Sequence, residues 1–149
     1  MNSINTERRL SDSAEATCSR WIGIALVYFV AAVSLGVAMG ASHDFRLKTV
    51  HVHANLLGWV SMTLMGLVYR VFPSAAASRL AAWHFVLYQA ALPVMLAGLA
   101  AMMFGLRGAE PVVGIASVVM LVAVVCFALA VWRGGRRSGV HFGQAQAAA

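Results

Sequence analysis

The chain has 149 residues, of which 61% are hydrophobic and only 11% charged, and its mean hydropathy is +0.80. Soluble domains carry fewer apolar and more charged residues, so the composition excludes a soluble globular protein and predicts an integral membrane protein. The net charge of +6 does not indicate nucleic acid, because the cations lie beside apolar segments rather than along one basic face. Membrane lipid, through its anionic headgroups, is their expected partner.

Four apolar segments follow one another along the chain, each with about the 20 residues that a helix needs to cross the hydrocarbon core. They cover residues 21–39, 50–72, 81–105 and 111–132. The connections between them are brief, which is typical of antiparallel neighbours. The sequence therefore predicts an all-α fold, an integral membrane up-and-down four-helix bundle in residues 21–132. A cytoplasmic N-terminal segment, 1–20, should precede it and a flexible cytoplasmic tail, 133–149, should follow.

The arrangement of basic residues predicts the orientation of the bundle, because short cytoplasmic segments retain Lys and Arg. Eight arginines lie at one set of span ends, and Arg46, Lys48 and Arg107 lie at the other. Both termini are therefore expected in the cytoplasm of a bacterium, with the protein a multi-pass component of the inner membrane. Residues 1–20 are too polar for a signal peptide, so the first span is expected to be a retained anchor.

The second apolar segment begins with two histidines in the motif HVHANLLGWV, residues 51–60. At about 100° per residue, one side of this helix combines polar, small and sulfur-containing residues, and the other is aliphatic apart from His53. The first side comprises His51, Asn55, Gly58, Met62, Met65 and Tyr69. We therefore expect His51 to face the bundle interior and His53 to point away from it. An ionisable residue inside a membrane indicates function.

Residues from three segments are expected to meet near the outer end of the second span. They are Met39, His43, His51, Asn55 and Met102. Imidazole and thioether groups suit heme iron or copper, so a cofactor or metal site is predicted here. Candidate metal ligands are His51, His53 and His43, although His43 taken singly is better explained as a solvated loop residue.

The third segment carries a similar stripe, which comprises His84, Tyr88, Ala91, Met95, Gly98 and Met102. His84 should lie at the opposite membrane face, beside Tyr69, so it is not expected to share a metal with His51. We expect it to be an interfacial partner of Tyr88 or of lipid headgroups. Trp21, Trp83 and Trp132 are predicted to be anchors at the same interface.

Residues 45–51, FRLKTVH, resemble the Arg-Leu-Arg-Pro-Leu-His start of a heme-bearing helix in the large subunit, subunit I, of C-family heme-copper oxidases. Residues 52–57, VHANLL, are similar to the Val-His-Thr-Asn-Leu-Leu helix of bacterial nitric oxide reductases, with Met65, Gly66, Tyr69 and Pro73 following. The resemblance implies that His51 or His53 is an axial ligand of a low-spin heme b near the outer face. It also implies that Arg46 and Lys48 hold heme propionates.

These 149 residues show no counterpart of the later helices of that family, which supply the second low-spin ligand and the oxygen- or nitric oxide-reducing centre. We therefore do not expect the chain to be a complete oxidase by itself. The other axial donor would be Met102, His43 or a histidine of a second copy, which makes a homo-oligomer attractive. No CxxCH motif is present, so a heme would not be covalently attached. We predict a heme b protein in respiratory electron transfer or in handling O2 or NO. The alternatives are a copper-binding membrane protein and a cofactor-free accessory subunit of a respiratory complex.

Overall fold

The structure is a computed structural model that describes residues 2–137. Four long helices are present: α1 (Asn2–Ser42), α2 (Lys48–Val71), α4 (Arg79–Met103) and α5 (Ala109–Arg137). A short helix, α3 (Pro73–Ala76), connects α2 to α4. Each long helix is long and apolar enough to cross a membrane, and no strand occurs in residues 2–137. The predicted all-α, multi-pass architecture with four spans is confirmed.

The first and last helices, α1 and α5, are longer than the spans predicted for them. α1 has 41 residues and includes nearly all of the N-terminal segment 1–20, because that segment contains no Gly or Pro, the residues that most disfavour a helix. The segment also packs against the bundle, since Ala14 is fully buried and Glu15 pairs with Arg70 at 2.9 Å. At the other end, α5 continues to Arg137, and the rest of the predicted tail, 138–149, lies outside the described residues.

The long helices form two hairpins that cross each other. α1 packs along α2, and α4 packs along α5. The beginning of α2 contacts α4, whereas its end contacts α5. The turn between α4 and α5 is tight because Gly105 and Gly108 have φ of +79° and +94°, a backbone region that side chains disfavour. The hairpins therefore meet along α2, which contacts every other long helix.

The helical stripes predicted from the sequence face the interior of the bundle. On α2, Gly58, Met62 and Tyr69 are buried, and the other members of the stripe are half-buried. On α4, five of the six stripe residues are buried and Met102 is half-buried. The opposite side of α2 is exposed over most of its length, as an apolar surface in lipid should be. The exposed residues are Leu56, Val60, Leu64, Leu67 and Val71.

The middle of α2, Ala54–Ser61, is a π-helix, which the sequence pattern did not predict. Gly58 lies in this segment directly against the ring of Tyr28 on α1. The hydroxyl of Tyr88 on α4 donates a hydrogen bond of 2.9 Å to the carbonyl oxygen of Leu57. Both α1 and α4 therefore contact the π-helical segment. π-Helical segments occur frequently at functional sites, and this one begins one turn after His51.

Gly58→Ala is expected to destabilise the fold by about 1–3 kcal/mol, because overpacking a tight contact forces its neighbours to move. A Cβ at this position would lie 2.6 Å from Cγ of Tyr28. Unfolding titrations in mixed detergent micelles measure the change. Gly23→Ala is the matched control, since a Cβ there meets nothing within 4 Å. Equal stability of the two variants would contradict the proposed contact.

Candidate functional site

His51 lies near the beginning of α2 and faces α1. Its Nδ1 donates a hydrogen bond of 2.9 Å to the carbonyl oxygen of Ala32. The imidazole packs directly on Gly36, where a Cβ would lie 2.8 Å from Cε1 of the ring. The ring is half-buried between the two helices. The absence of a side chain at residue 36 therefore makes the space that His51 occupies.

The bond to Ala32 determines which nitrogen of His51 carries the proton. A carbonyl oxygen only accepts, so Nδ1 holds the hydrogen and Nε2 of the neutral ring presents a lone pair. Nδ2 of Asn55 lies 3.4 Å from this Nε2 but donates a shorter bond, 3.0 Å, to the carbonyl oxygen of His51 itself. Nε2 therefore has only a long contact. A histidine that ligates a metal usually has this arrangement, with its second ring nitrogen bound to a carbonyl or carboxylate.

His53 has a different environment from His51. Its Nδ1 donates to the carbonyl oxygen of Thr49 at 2.8 Å, one turn back along its own helix. The two histidines thus bond to different helices, His51 to α1 and His53 to α2. Within residues 2–137, no three His, Cys, Asp or Glu side chains are grouped so that they could hold a metal ion. His43, His51 and His53 do not form a common metal site.

The two basic residues Arg46 and Lys48 lie at the beginning of α2. Arg46 is paired with Asp44, with Nε 2.9 and 3.0 Å from the two carboxylate oxygens, and its guanidinium lies 5.2 Å from the ring centroid of Phe104. The side-chain and backbone hydrogen bonds from Arg46 lower the pKa of Asp44 to about 2, and the same pairing raises the pKa of Arg46. Lys48 is exposed at the first residue of α2. Of the two predicted propionate partners, Arg46 is already engaged by a carboxylate.

The candidates for a second axial ligand are not bonded to His51. His43 is exposed at the end of α1 with a φ of +53°, a left-handed conformation. Met102 is half-buried near the end of α4, the helix that the beginning of α2 contacts. In the described part of the chain, the hydrogen-bond partners of the His51 ring are Ala32 and Asn55.

A second polar centre, more fully buried in the protein than His51, surrounds His84. This side chain is fully buried, and a hydrogen bond of 2.9 Å joins its Nδ1 to the hydroxyl of Tyr69. The ring of Trp21 stacks on it at 4.6 Å, and the ring of Phe127 lies 5.1 Å away. Each long helix therefore supplies at least one ring, with Trp21 from α1, Tyr69 from α2, His84 from α4 and Phe127 from α5. We call these four residues the ring cluster.

The ring cluster corrects two expectations. Of the two partners expected for His84, the structure shows Tyr88, whose ring lies 5.6 Å away, and not headgroups, because His84 is fully buried. Trp21 is not an interfacial anchor, because it is also fully buried. The physical reason is that α1 begins well before Trp21, so Trp21 lies within the helix and not at its end. At this level α1 packs closely on α2, since a Cβ at Gly66 would lie 3.0 Å from Cβ of Trp21. The sequence did indicate the contact between Tyr69 and His84, since both residues were predicted to lie on interior stripes at the same membrane face.

Comparisons of the chain with protein-family models, with curated proteins and with solved structures find no match. The resemblance of residues 45–73 to heme-copper oxidases therefore stays a prediction.

Tyr69→Phe is expected to cost about 1–3 kcal/mol of stability, because it leaves the buried Nδ1 of His84 without its partner while preserving the ring. Unfolding titrations in mixed micelles measure the loss. Tyr28→Phe is the control, since the hydroxyl of Tyr28 makes no hydrogen bond within the described residues. A Tyr69→Phe protein as stable as this control would contradict a structural role for the bond.

Arg46→Gln is expected to raise the pKa of Asp44 from about 2 toward its ordinary value of 3.8, because the charged donor is lost. With the folded-state value depressed, the ion pair is complete above about pH 4 and is lost as the pH falls through 2. Carbon-13 NMR of the Asp44 carboxyl, titrated in detergent micelles, measures the value. An unchanged midpoint in Arg46→Gln would refute the pairing.

Proposed function

We propose that this protein binds heme b through His51 and serves respiratory electron transfer or the handling of O2 or NO, as a short relative of subunit I of the heme-copper oxidases. The observation that carries the proposal is the 2.9 Å hydrogen bond from Nδ1 of His51 to the carbonyl oxygen of Ala32. In the neutral imidazole this bond places the hydrogen on Nδ1 and the lone pair on Nε2, the nitrogen that would ligate iron. A bound heme supplies reversible one-electron chemistry or a site for a diatomic gas.

The environment of His51 fits an axial ligand in two respects. The carbonyl of Ala32 fixes the orientation of the imidazole and increases the basicity of Nε2, as second-sphere acceptors do for ligating histidines. The contact of Nε2 with Asn55 is long at 3.4 Å, and the Asn55 amide keeps its 3.0 Å bond to the His51 carbonyl when Nε2 is used elsewhere. If His51 bound a ligand through Nε2, the amide nitrogen of Asn55 would therefore still have one hydrogen-bond acceptor.

The charge at the start of α2 suits propionate groups. Asp44, Arg46 and Lys48 are the charged residues of the turn, so it keeps one positive charge in excess. Lys48 is exposed and has no ion-pair partner within residues 2–137, whereas Arg46 would have to share its guanidinium between a propionate and Asp44. We assign Lys48 the larger part in holding a propionate. Arg46, oriented by Asp44, would have the smaller part.

The proposal also includes the orientation of the protein in its membrane and its association with other subunits. The excess of arginine at one set of span ends argues for both termini in the cytoplasm and for a bacterial inner membrane. The second axial donor would be Met102, His43 or a histidine of another copy, and association with itself or with subunits of a respiratory complex would complete the site. The chain is not proposed to reduce oxygen or nitric oxide alone.

A cofactor-free accessory subunit is the second candidate, because the bond from His51 to Ala32 also joins α1 to α2 and would stabilise the hairpin without any ligand. Copper held by the HVH motif is less well supported. His51 and His53 bond to carbonyls on different helices, so one ion would need the helix to unwind before it could bind both.

The deciding experiment is an absorption spectrum with a pyridine hemochrome assay on detergent-purified protein expressed with an adequate heme supply. We expect a Soret band and about one heme b per one or two chains in the wild type. His51→Ala should lose the band while far-UV circular dichroism stays helical.

His53→Ala is the discriminating variant and should retain the band. A band lost in His53→Ala but kept in His51→Ala would overturn the assignment of His51. A colourless wild type that contains no metal would favour the accessory subunit.

A further inference from the structure

A pocket of about 260 Å³ lies where α3 meets α4 and α5. Two arginines, Arg79 at the start of α4 and Arg133 near the end of α5, line it together with Ser74 and Ser78. Leu80 and Ala130 supply apolar lining. The pocket is distant in the fold from His51, which lies near the opposite end of α2.

Close packing of α3 on α5 forms one wall of this pocket. A Cβ at Gly134 would lie 2.8 Å from the backbone nitrogen of Ala75, so only glycine allows this approach. The hydroxyl of Ser74 donates to the carbonyl oxygen of Gly134 at 3.1 Å. Ser78 caps α4, where its hydroxyl oxygen accepts from the backbone N–H of Ala81 at 3.1 Å and retains its own hydrogen to donate. The wall is therefore held in place by backbone contacts.

The charge in the pocket is not balanced. No carboxylate lines it. In the described part of the chain, the ion pairs are Arg46 with Asp44 and Arg70 with Glu15, so neither Arg79 nor Arg133 is neutralised by an acidic side chain. The N-terminus of α4 adds further positive potential. Two like charges beside one cavity favour an anion between them.

The level of the pocket in the membrane indicates the source of that anion. Arg79 is the first residue of one span, and Arg133 lies near the end of the next. Trp83 and Trp132, one turn from Arg79 and adjacent to Arg133, are 61% and 56% exposed, as aromatic residues at a membrane interface are. Lipid phosphates lie at this level. Basic pockets between transmembrane helices are typical sites for anionic headgroups.

We propose that this pocket binds the phosphate group of an anionic phospholipid. Arg79 and Arg133 would hold the phosphate oxygens and the Ser78 hydroxyl would donate a further hydrogen bond, with Leu80 and Ala130 beside the glycerol. The proposal does not depend on the function proposed for His51. Its success or failure therefore leaves the heme assignment unaffected.

Native mass spectrometry of the full-length protein in detergent tests the site with three probes: phosphatidylglycerol, phosphatidylcholine and inorganic phosphate. The wild type should bind phosphatidylglycerol saturably and in preference to phosphatidylcholine. Arg79→Gln/Arg133→Gln should bind it about 30-fold more weakly, because each cation at the surface contributes roughly fivefold. The matched control is Arg8→Gln/Arg9→Gln, which removes two exposed arginines from α1 and should change binding less than about twofold.

Several outcomes would overturn the proposal. Equal losses in the two double variants would mean that net charge, and not this pocket, attracts the lipid. Binding of inorganic phosphate with the same dependence on Arg79 and Arg133 would assign the pocket to a free anion. If the pocket variant does not fold, binding to the wild type is measured at increasing salt concentration instead. A preference for phosphatidylglycerol that does not decline with salt would contradict binding by two arginines.

Discussion

The hydrogen bond between Tyr69 and His84 joins α2 to α4, and therefore one helical hairpin to the other. In a membrane, association of helices gains little from the hydrophobic effect, because lipid tails are as apolar as the side chains. Close packing and interhelical polar bonds must hold the bundle instead. The ring cluster provides both, since Trp21 and Phe127 bring α1 and α5 against the same imidazole. All four spans therefore contact this centre.

His51 and His84 each bond to a neighbouring helix, but they differ in how accessible their rings are to a ligand. His84 is enclosed by rings and fully buried, so a large ligand has no space beside it. Nε2 of His84 has no hydrogen-bond partner within the described residues, but it is enclosed. His51 is half-buried, donates from Nδ1 to Ala32 and has a contact of 3.4 Å from Asn55 at Nε2. An imidazole that holds two helices together with one nitrogen still has the other for coordination. The lower burial of His51 therefore favours it over His84 as the ligating residue.

The spans and their interior faces could be predicted from the sequence because hydropathy and helical period are local properties. The stripe of α2 and the stripe of α4 agree with the burial in the structure. The length of α1, the π-helix at Ala54–Ser61 and the ring cluster were not predicted. They depend on contacts between helices, such as Gly58 with Tyr28 and Gly66 with Trp21, whose partners hydropathy does not specify. The helical period predicted different directions for His51 and His53, but it did not indicate the acceptors, which are the carbonyl oxygen of Ala32 for His51 and that of Thr49 for His53.

The roles of His51 in packing and in ligation are compatible. A histidine ligand needs a second-sphere acceptor to hold its tautomer, and in a membrane helix that acceptor must be a group whose own hydrogen bonding tolerates a second donor. The carbonyl oxygen of Ala32 satisfies this requirement, because a carbonyl has two lone pairs and its helix uses one. Gly36, one turn further along α1, gives the ring the space to reach it. The features that support α1 against α2 are thus the same ones that would orient an axial ligand.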